Sequence, residues 1–280
     1  MDYKSFDIKR EELMPYGLTC EKWVPRIMSR TDRHNEIELN FIRSGSLSYF
    51  FRDRIVSVPS GKAVVFWGLI PHKVIAHDTD DYYFVCTVPL SMFLNWKLAE
   101  SMVNQIFAGE ILIDRSDYPG SYEECMFSAW EHDFSSNTNH LATILEIRAR
   151  MLRFEGNYTV LSQTRMFSNP AATKIEKMTL HIARNYMEKL TVRDIADVAD
   201  VNPDYANAIF KKAFGHSLMK HVMIERINHA QRALQFTDDS ISNIALDCGF
   251  GSISCFNTAF RNLNHCSPSE YRKTYRILTT

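Results

Sequence analysis

Two groups of side chains in this sequence have the types and spacing to do chemistry. The first is His34, Glu36 and Glu38, set at every second residue, with Trp67 and then His72 further on. Imidazoles and carboxylates gathered in one place can ligate a metal ion. They can equally exchange hydrogen bonds with the hydroxyls of a small polar molecule, while an indole such as Trp67 stacks on its ring. A metal centre wants three or four converging ligands and an open position, yet Glu36 stands where a second histidine would complete a His-x-His pair. No metal and no cofactor are therefore expected. The polar pocket of His34, Glu36, Glu38, Trp67 and His72 stands beside a plainer reading, in which Trp67 is core, His72 caps a turn and the glutamates face water. The residues leave both open.

The second group lies in the last hundred residues, where the sequence repeats itself. Thr191-Val-Arg-Asp-Ile-Ala196 matches Ser240-Ile-Ser-Asn-Ile-Ala245 at an offset of 49, and Phe210-Lys211 and Ser217 match Phe260-Arg261 and Ser267 at 50. Each unit reads as a short helix, a tight turn and a second helix. Thr191 and Ser240 supply N-caps, and the second helices open at Asn202-Pro203 and at Ser252. With Ile209-Phe210 and Ala259-Phe260 turned inward, Asp204, Asn207, Ala208 and Lys211 face outward in the first unit, with Asn202 at its entrance. Ile253, Ser254, Thr258 and Arg261 do so in the second. A helix held this way enters the major groove of double-stranded DNA. Asn207 suits an adenine edge, Asp204 could accept from cytosine, Ile253 offers apolar contact to a thymine methyl, and Lys211 and Arg261 suit phosphates.

The elements that must position these groups differ between the two ends of the chain. Residues 36–88 alternate apolar and polar in short runs punctuated at Ser44-Gly45, Pro59-Ser60-Gly61 and Pro71-His72, which predicts the strands of a small barrel or sandwich. From Ser91 the period becomes helical, with further helices over 122–134 and 140–154. In the last, Leu141, Ile144, Leu145, Arg148 and Leu152 draw a stripe that is either core or dimer seam. Residues 162–173 are polar, aperiodic and contain Pro170, a linker in character. The division is thus 1–161, a linker at 162–173, and an all-helical 174–280. From Lys174 to the end there are 14 basic and 11 acidic residues, so a net charge of −1 hides a mildly basic C-terminal part. No apolar run has the length to cross a bilayer, the start lacks the apolar core of a signal peptide, and six cysteines form no CxxC pair. A cytoplasmic address with no membrane partner is expected. No catalytic triad, glycine-rich phosphate loop or HExxH motif points to an enzyme.

The run Ile195-Ala196, Phe210-Lys211-Lys212, Gly215, Arg226-Ile227, Ala230, Ile244-Ala245, Gly249-Phe250, Phe256, Phe260-Arg261, Ser267-Pro268 and Tyr271-Arg272 resembles the AraC/XylS transcription regulators. The resemblance implies an α+β chain: an N-terminal cupin-like β-barrel with helices, then two helix-turn-helix units joined by a long helix over 217–236. His265 departs from the pattern, standing where glycine usually ends the second reading helix. The resemblance further implies an activator that binds asymmetric sites arranged as direct repeats, works as a homodimer, recruits RNA polymerase and answers to a small effector, a sugar in the members most similar here. A regulator governed by another effector, a partner protein or its own abundance would share every C-terminal feature.

Overall fold

The computed structural model describes residues 3–11, 13–51, 54–161 and 170–275. They divide into two units, Met1–Pro170 and Ala171–Thr280. The first holds β1 (Thr19–Trp23), β2 (Glu36–Ile42), β3 (Ser46–Phe51), β4 (Arg54–Pro59), β5 (Ala63–Trp67), β6 (His72–His77), β7 (Tyr83–Pro89), β8 (Leu112–Asp114) and β9 (Tyr158–Val160). These pair antiparallel into two sheets, ordered β1-β7-β2-β5-β8-β9 and β4-β3-β6. The barrel expected from the resemblance is not closed among the described residues. Aromatic packing joins the two sheets instead, with the Phe66 ring of β5 set 5.3 Å from Phe51, 6.1 Å from Tyr49 and 5.2 Å from His72.

The alternation at 36–41 is present, but neither side of β2 meets water. The side of Ile37, Leu39 and Phe41 packs toward the helices, where Phe41 stacks on Phe127 at 5.6 Å. The side of Glu36, Glu38 and Asn40 faces the smaller sheet. A strand covered on both faces is buried whatever its pattern, so the glutamates do not face solvent. The helical stretch expected from Ser91 divides into α1 (Leu90–Asn95) and α2 (Glu100–Phe107), because Lys97 takes a left-handed φ of 54°. Then come α3 (Gly120–Ser135) and α4 (His140–Glu155). The core side of α4 is Thr143, Ile147, Arg150, Met151 and Phe154, whereas Leu145 and Leu152 of the expected stripe are 54% and 44% exposed. The core reading of that stripe is thereby overturned. A buried cation explains the rotation. Arg150 donates to Glu123 of α3 at 2.7 Å and also to Asp114 of β8, tying three elements through one guanidinium.

The second unit is helical: α5 (Pro170–Asn185), α6 (Val192–Asp197), α7 (Pro203–Phe214), α8 (Leu218–Phe236), α9 (Ile241–Asp247), α10 (Ile253–Asn264) and α11 (Pro268–Tyr275). Residues 170–173 of the expected linker therefore belong to α5, and 162–169 lie outside the described residues. Capping follows the sequence closely. Thr191 accepts from Asp194 N–H at 3.2 Å while the Asp194 carboxylate accepts from Thr191 N–H at 2.8 Å, a reciprocal capping box. Asn202, Ser217, Ser240 and Ser252 cap α7, α8, α9 and α10, with Pro203 at the start of α7. In the second repeat, Ile244, Ala245, Phe256, Ala259 and Phe260 pack on Ile227, Ala230 and Leu234 of α8.

Arg150→Met should lower the unfolding free energy by ~3–5 kcal/mol in urea titrations, since it leaves two carboxylates buried without their cation. A loss below about 1 kcal/mol would mean that the triad does not set the position of α4.

Candidate functional site

Between the two sheets of the first unit lies a cleft lined by Tyr16, Trp23, Asp32, Glu38, Tyr49, His72 and Tyr83, among others. Its cavity volume is about 40 Å³, within about 550 Å³ of empty space that runs out into open solvent. The polar wall is built outward from β2. His34 donates from Nδ1 to Glu36 at 3.0 Å and from Nε2 to Glu38 at 2.6 Å. The Nε2 of His72 lies 3.2 Å from the same Glu38 oxygen, and Asn40 donates to the other at 2.7 Å. Burial would push the His34 imidazole down, but the hydrogen bonds to Glu36 and Glu38 outweigh it and hold it at about 10. Burial likewise favours a protonated Glu38; the neighbouring His72 and the bond from His34 prevail and keep the carboxyl well below its usual range.

This arrangement depends on a glycine. A Cβ at Gly68 would sit 2.1 Å from the His34 ring, so only glycine leaves that space. Nearer the mouth, Asp32 accepts from Tyr16 at 2.8 Å and from Arg10 at 3.0 Å, and the Arg10 guanidinium covers the Tyr16 ring at 3.7 Å. Burial, with the charge of Asp32 adding to it, raises the Tyr16 phenol far above its ordinary value. The buried Tyr49 hydroxyl makes no well-aligned hydrogen bond among the described residues, and the Asn40 side chain is its neighbour in reach.

Of the five pocket residues expected from sequence, Glu38 and His72 line the cleft, while His34 and Glu36 stand behind Glu38 and orient it. Trp67 does not belong to it. On β5 it pairs with Ile37, one residue out of phase with Glu38, and so points to the helix side, 5.1 Å from Phe107. Tyr16, Trp23, Asp32, Tyr49 and Tyr83 were not singled out by sequence. Tyr49 shares its strand face with Leu47 and Phe51, a usable signal; the others carry none.

In the second unit the outward faces of α7 and α10 are as expected in most positions. Asp204, Ala208 and Lys211 are exposed, as are Ser254, Thr258, Arg261 and Ile253. Tyr205, not among the sequence candidates, is 42% exposed beside them. Asn207 differs, because its Oδ1 accepts from Leu218 N–H at 3.1 Å, capping α8 and removing the acceptor that adenine would need. Asn202 spends its Oδ1 in the same way on Tyr205 N–H. In the second repeat the partner of Leu218 is Pro268, which has no N–H. Asn257, the counterpart of Asn207, is accordingly untied and lines a shallow depression with Ser254, Thr258, Arg261 and Asn262. His265 ends α10 with φ of 57°, taking the left-handed position that Gly215 takes at the end of α7.

One joint fixes the two repeats. Arg226 of α8 donates to the carbonyls of Tyr186 and Glu188, at 2.6 and 2.8 Å, just past the end of α5. Gly249 packs on the same turn, so closely that a Cβ there would lie 2.3 Å from the Met187 carbonyl oxygen.

A helix-turn-helix domain family matches residues 195–274. The chain is 27% identical over 259 residues to the melibiose operon regulatory protein of Escherichia coli strain K12, covering 89% of this chain and 85% of that protein. Over 111 residues it is 27% identical to the bifunctional transcriptional activator/DNA repair enzyme AdaA of Bacillus subtilis strain 168, covering 40% of this chain and 53% of that one. Among solved structures, a transcriptional regulator of Chromobacterium violaceum with an AraC-type DNA-binding domain aligns with a TM-score of 0.35 and 31% identity, over 36% of this chain and 91% of that one. The duplicated, capped helix-turn-helix units form an AraC-type DNA-binding domain over residues 195–274, and the similarity to a transcription regulator runs through both parts of the chain.

Proposed function

We propose that the chain activates transcription of a carbohydrate-utilisation operon when a sugar occupies the cleft between the two sheets. The Tyr49 hydroxyl carries this reading. It is a buried polar group with only the Asn40 side chain in reach, beside a charged Glu38 and walled by tyrosines and Trp23, and a ligand hydroxyl would complete its bonding. Extended similarity to a protein named for the melibiose operon supports a sugar as the ligand. A cavity of about 40 Å³ is small for a pyranose ring, so in this reading lining side chains such as Phe6, Arg26 and Met28 move to admit one. That movement gives the ligand different affinities for two arrangements, the requirement for any switch.

In this reading the sheets are a splayed cupin-like sandwich, residues 1–161 sense and dimerise, and 174–280 read DNA. The exposed Leu145 and Leu152 of α4 form the seam between protomers. Each protomer places α7 and α10 in successive major grooves, about 34 Å apart, at an asymmetric site, and two sites in direct repeat bring the dimer beside RNA polymerase. Asp204, Tyr205, Ala208 and Lys211 face DNA from α7, with Asn202 at its entrance. Ile253, Ser254, Asn257, Thr258 and Arg261 do so from α10.

Melibiose and a panel of mono- and disaccharides, screened by thermal shift on the full chain, should include one that stabilises it by about 2.7 kcal/mol at a hundredfold excess over its Kd. Tyr49→Phe should weaken that sugar by roughly 3- to 10-fold, whereas Trp67→Phe should leave its affinity unchanged. If no sugar raises the melting temperature, control by another effector, a partner protein or abundance takes the place of this reading.

Operator selections should separate the two asparagines. Asn257→Ala should cost ~1–3 kcal/mol and relax preference at one base pair, whereas Asn207→Ala should weaken all sequences alike. Arg261→Ala should reduce the log–log salt slope by about 1. Relaxed preference in Asn207→Ala with none in Asn257→Ala would reverse the assignment.

A further inference from the structure

We propose that His34, Glu38 and His72 bind a divalent transition-metal ion at the inner wall of the inter-sheet cleft. One donor atom from each lies within 4.8 Å of the others, and all three residues are buried. The sequence argued against a metal because Glu36 stands where a second histidine would. In the fold it is Glu38, not Glu36, that joins His34 and His72 as the third donor, with His72 reaching it from β6 across the gap between the sheets.

The surroundings of the donors support this assignment more than their proximity does. Both histidines turn Nε2 toward Glu38, and both have Nδ1 held from behind by an oxygen: the Glu36 carboxylate at 3.0 Å for His34 and the Ile70 carbonyl at 2.8 Å for His72. An acceptor on the far nitrogen keeps the proton there and aims the near lone pair, as outer-shell partners do around metal-bound histidines. The carboxylate is oriented in its turn by Asn40, at 2.7 Å. His34 precedes β2, Glu38 lies on β2 and His72 starts β6, so an ion would staple the two sheets together. Gly68 keeps clear the space in which the His34 ring stands.

Donor chemistry narrows the ion. Two imidazoles and one carboxylate suit zinc, iron, cobalt or nickel; calcium and magnesium favour all-oxygen shells. Three protein ligands leave positions open, and Glu38 and His72 line the cleft, whose cavity volume of about 40 Å³ is enough for coordinated water. Binding replaces the Nε2 proton that His34 now shares with Glu38, and so releases protons.

The test uses the full-length protein, stripped with a chelator and titrated with Co(II) alone, followed by visible absorption and calorimetry. One equivalent per chain should bind, with ligand-field bands of a nitrogen–oxygen site and displacement by Zn(II). His72→Gln should weaken uptake at least 100-fold. Glu36→Gln touches no proposed ligand atom, only the far nitrogen of His34, and should weaken it about 10- to 100-fold. No uptake by the native chain, undiminished uptake by His72→Gln, or thiolate charge-transfer bands indicating a site at the cysteines would each overturn the proposal. If His72→Gln fails to fold by near-ultraviolet circular dichroism, native affinity in Glu36→Gln overturns it instead. No sugar is present in this experiment, so its failure leaves the effector reading standing, and failure of the sugar screen leaves the metal site standing.

Discussion

A carboxylate taken out of water costs several kcal/mol unless its lone pairs are answered, and Glu38 is buried between two sheets. Much of the first unit follows from that one group. Two imidazoles and an amide answer it, which requires His34 to fold back over its own strand and His72 to approach from the opposite sheet. The imidazoles must then be held in turn, by Glu36 and by the Ile70 carbonyl. Gly68 and the close setting of Phe66 against His72 belong to the same constraint. The effector or ion proposed for the cleft would meet a polar wall already oriented by these bonds.

How much of this could be read from the sequence divides along the range of the interactions. The helical repeat, its caps and its turns depend on contacts within a few residues, and Thr191, Pro203, Ser240 and Ser252 stand where the sequence placed them. The alternation of β2 was equally legible, but not that both of its faces are covered. Trp67 went to the wrong side of its sheet because its face is set by register with Ile37, thirty residues earlier, and nothing near Trp67 encodes that pairing. The three-residue strands β8 and β9 are too short to show a period, and they pair with each other across two intervening helices. On α4 the apolar stripe misled because the buried side is organised by Arg150, whose partners come from β8 and α3.

The two repeats show how one scaffold holds different outward surfaces. They share caps, inward phenylalanines and a left-handed helix end, yet the exchange of Leu218 for Pro268 changes the duty of the asparagine eleven residues before it. In the first repeat that amide secures the next helix; in the second, securing falls to Ser267 and Glu270, which bond each other at the start of α11. A change in a capping position thus moves a side chain from structure to surface without touching the surface itself.

The joint at the end of α5 has a consequence for the DNA. Helix α8 is a single rod of 19 residues, about 28 Å long at 1.5 Å per residue. Arg226 and Gly249 are both seated on the Tyr186–Glu188 turn, which ties α8 and the second repeat to the end of α5. If α7 and α10 both enter the duplex, as proposed, the domain acts as a caliper whose opening is set by the protein. A site whose two contact segments are separated by half a turn more, or half a turn less, presents its second segment on the wrong side of the helix. It can be accommodated only by twisting or bending the DNA. Phase along the duplex is therefore as much a part of the recognised sequence as the bases themselves.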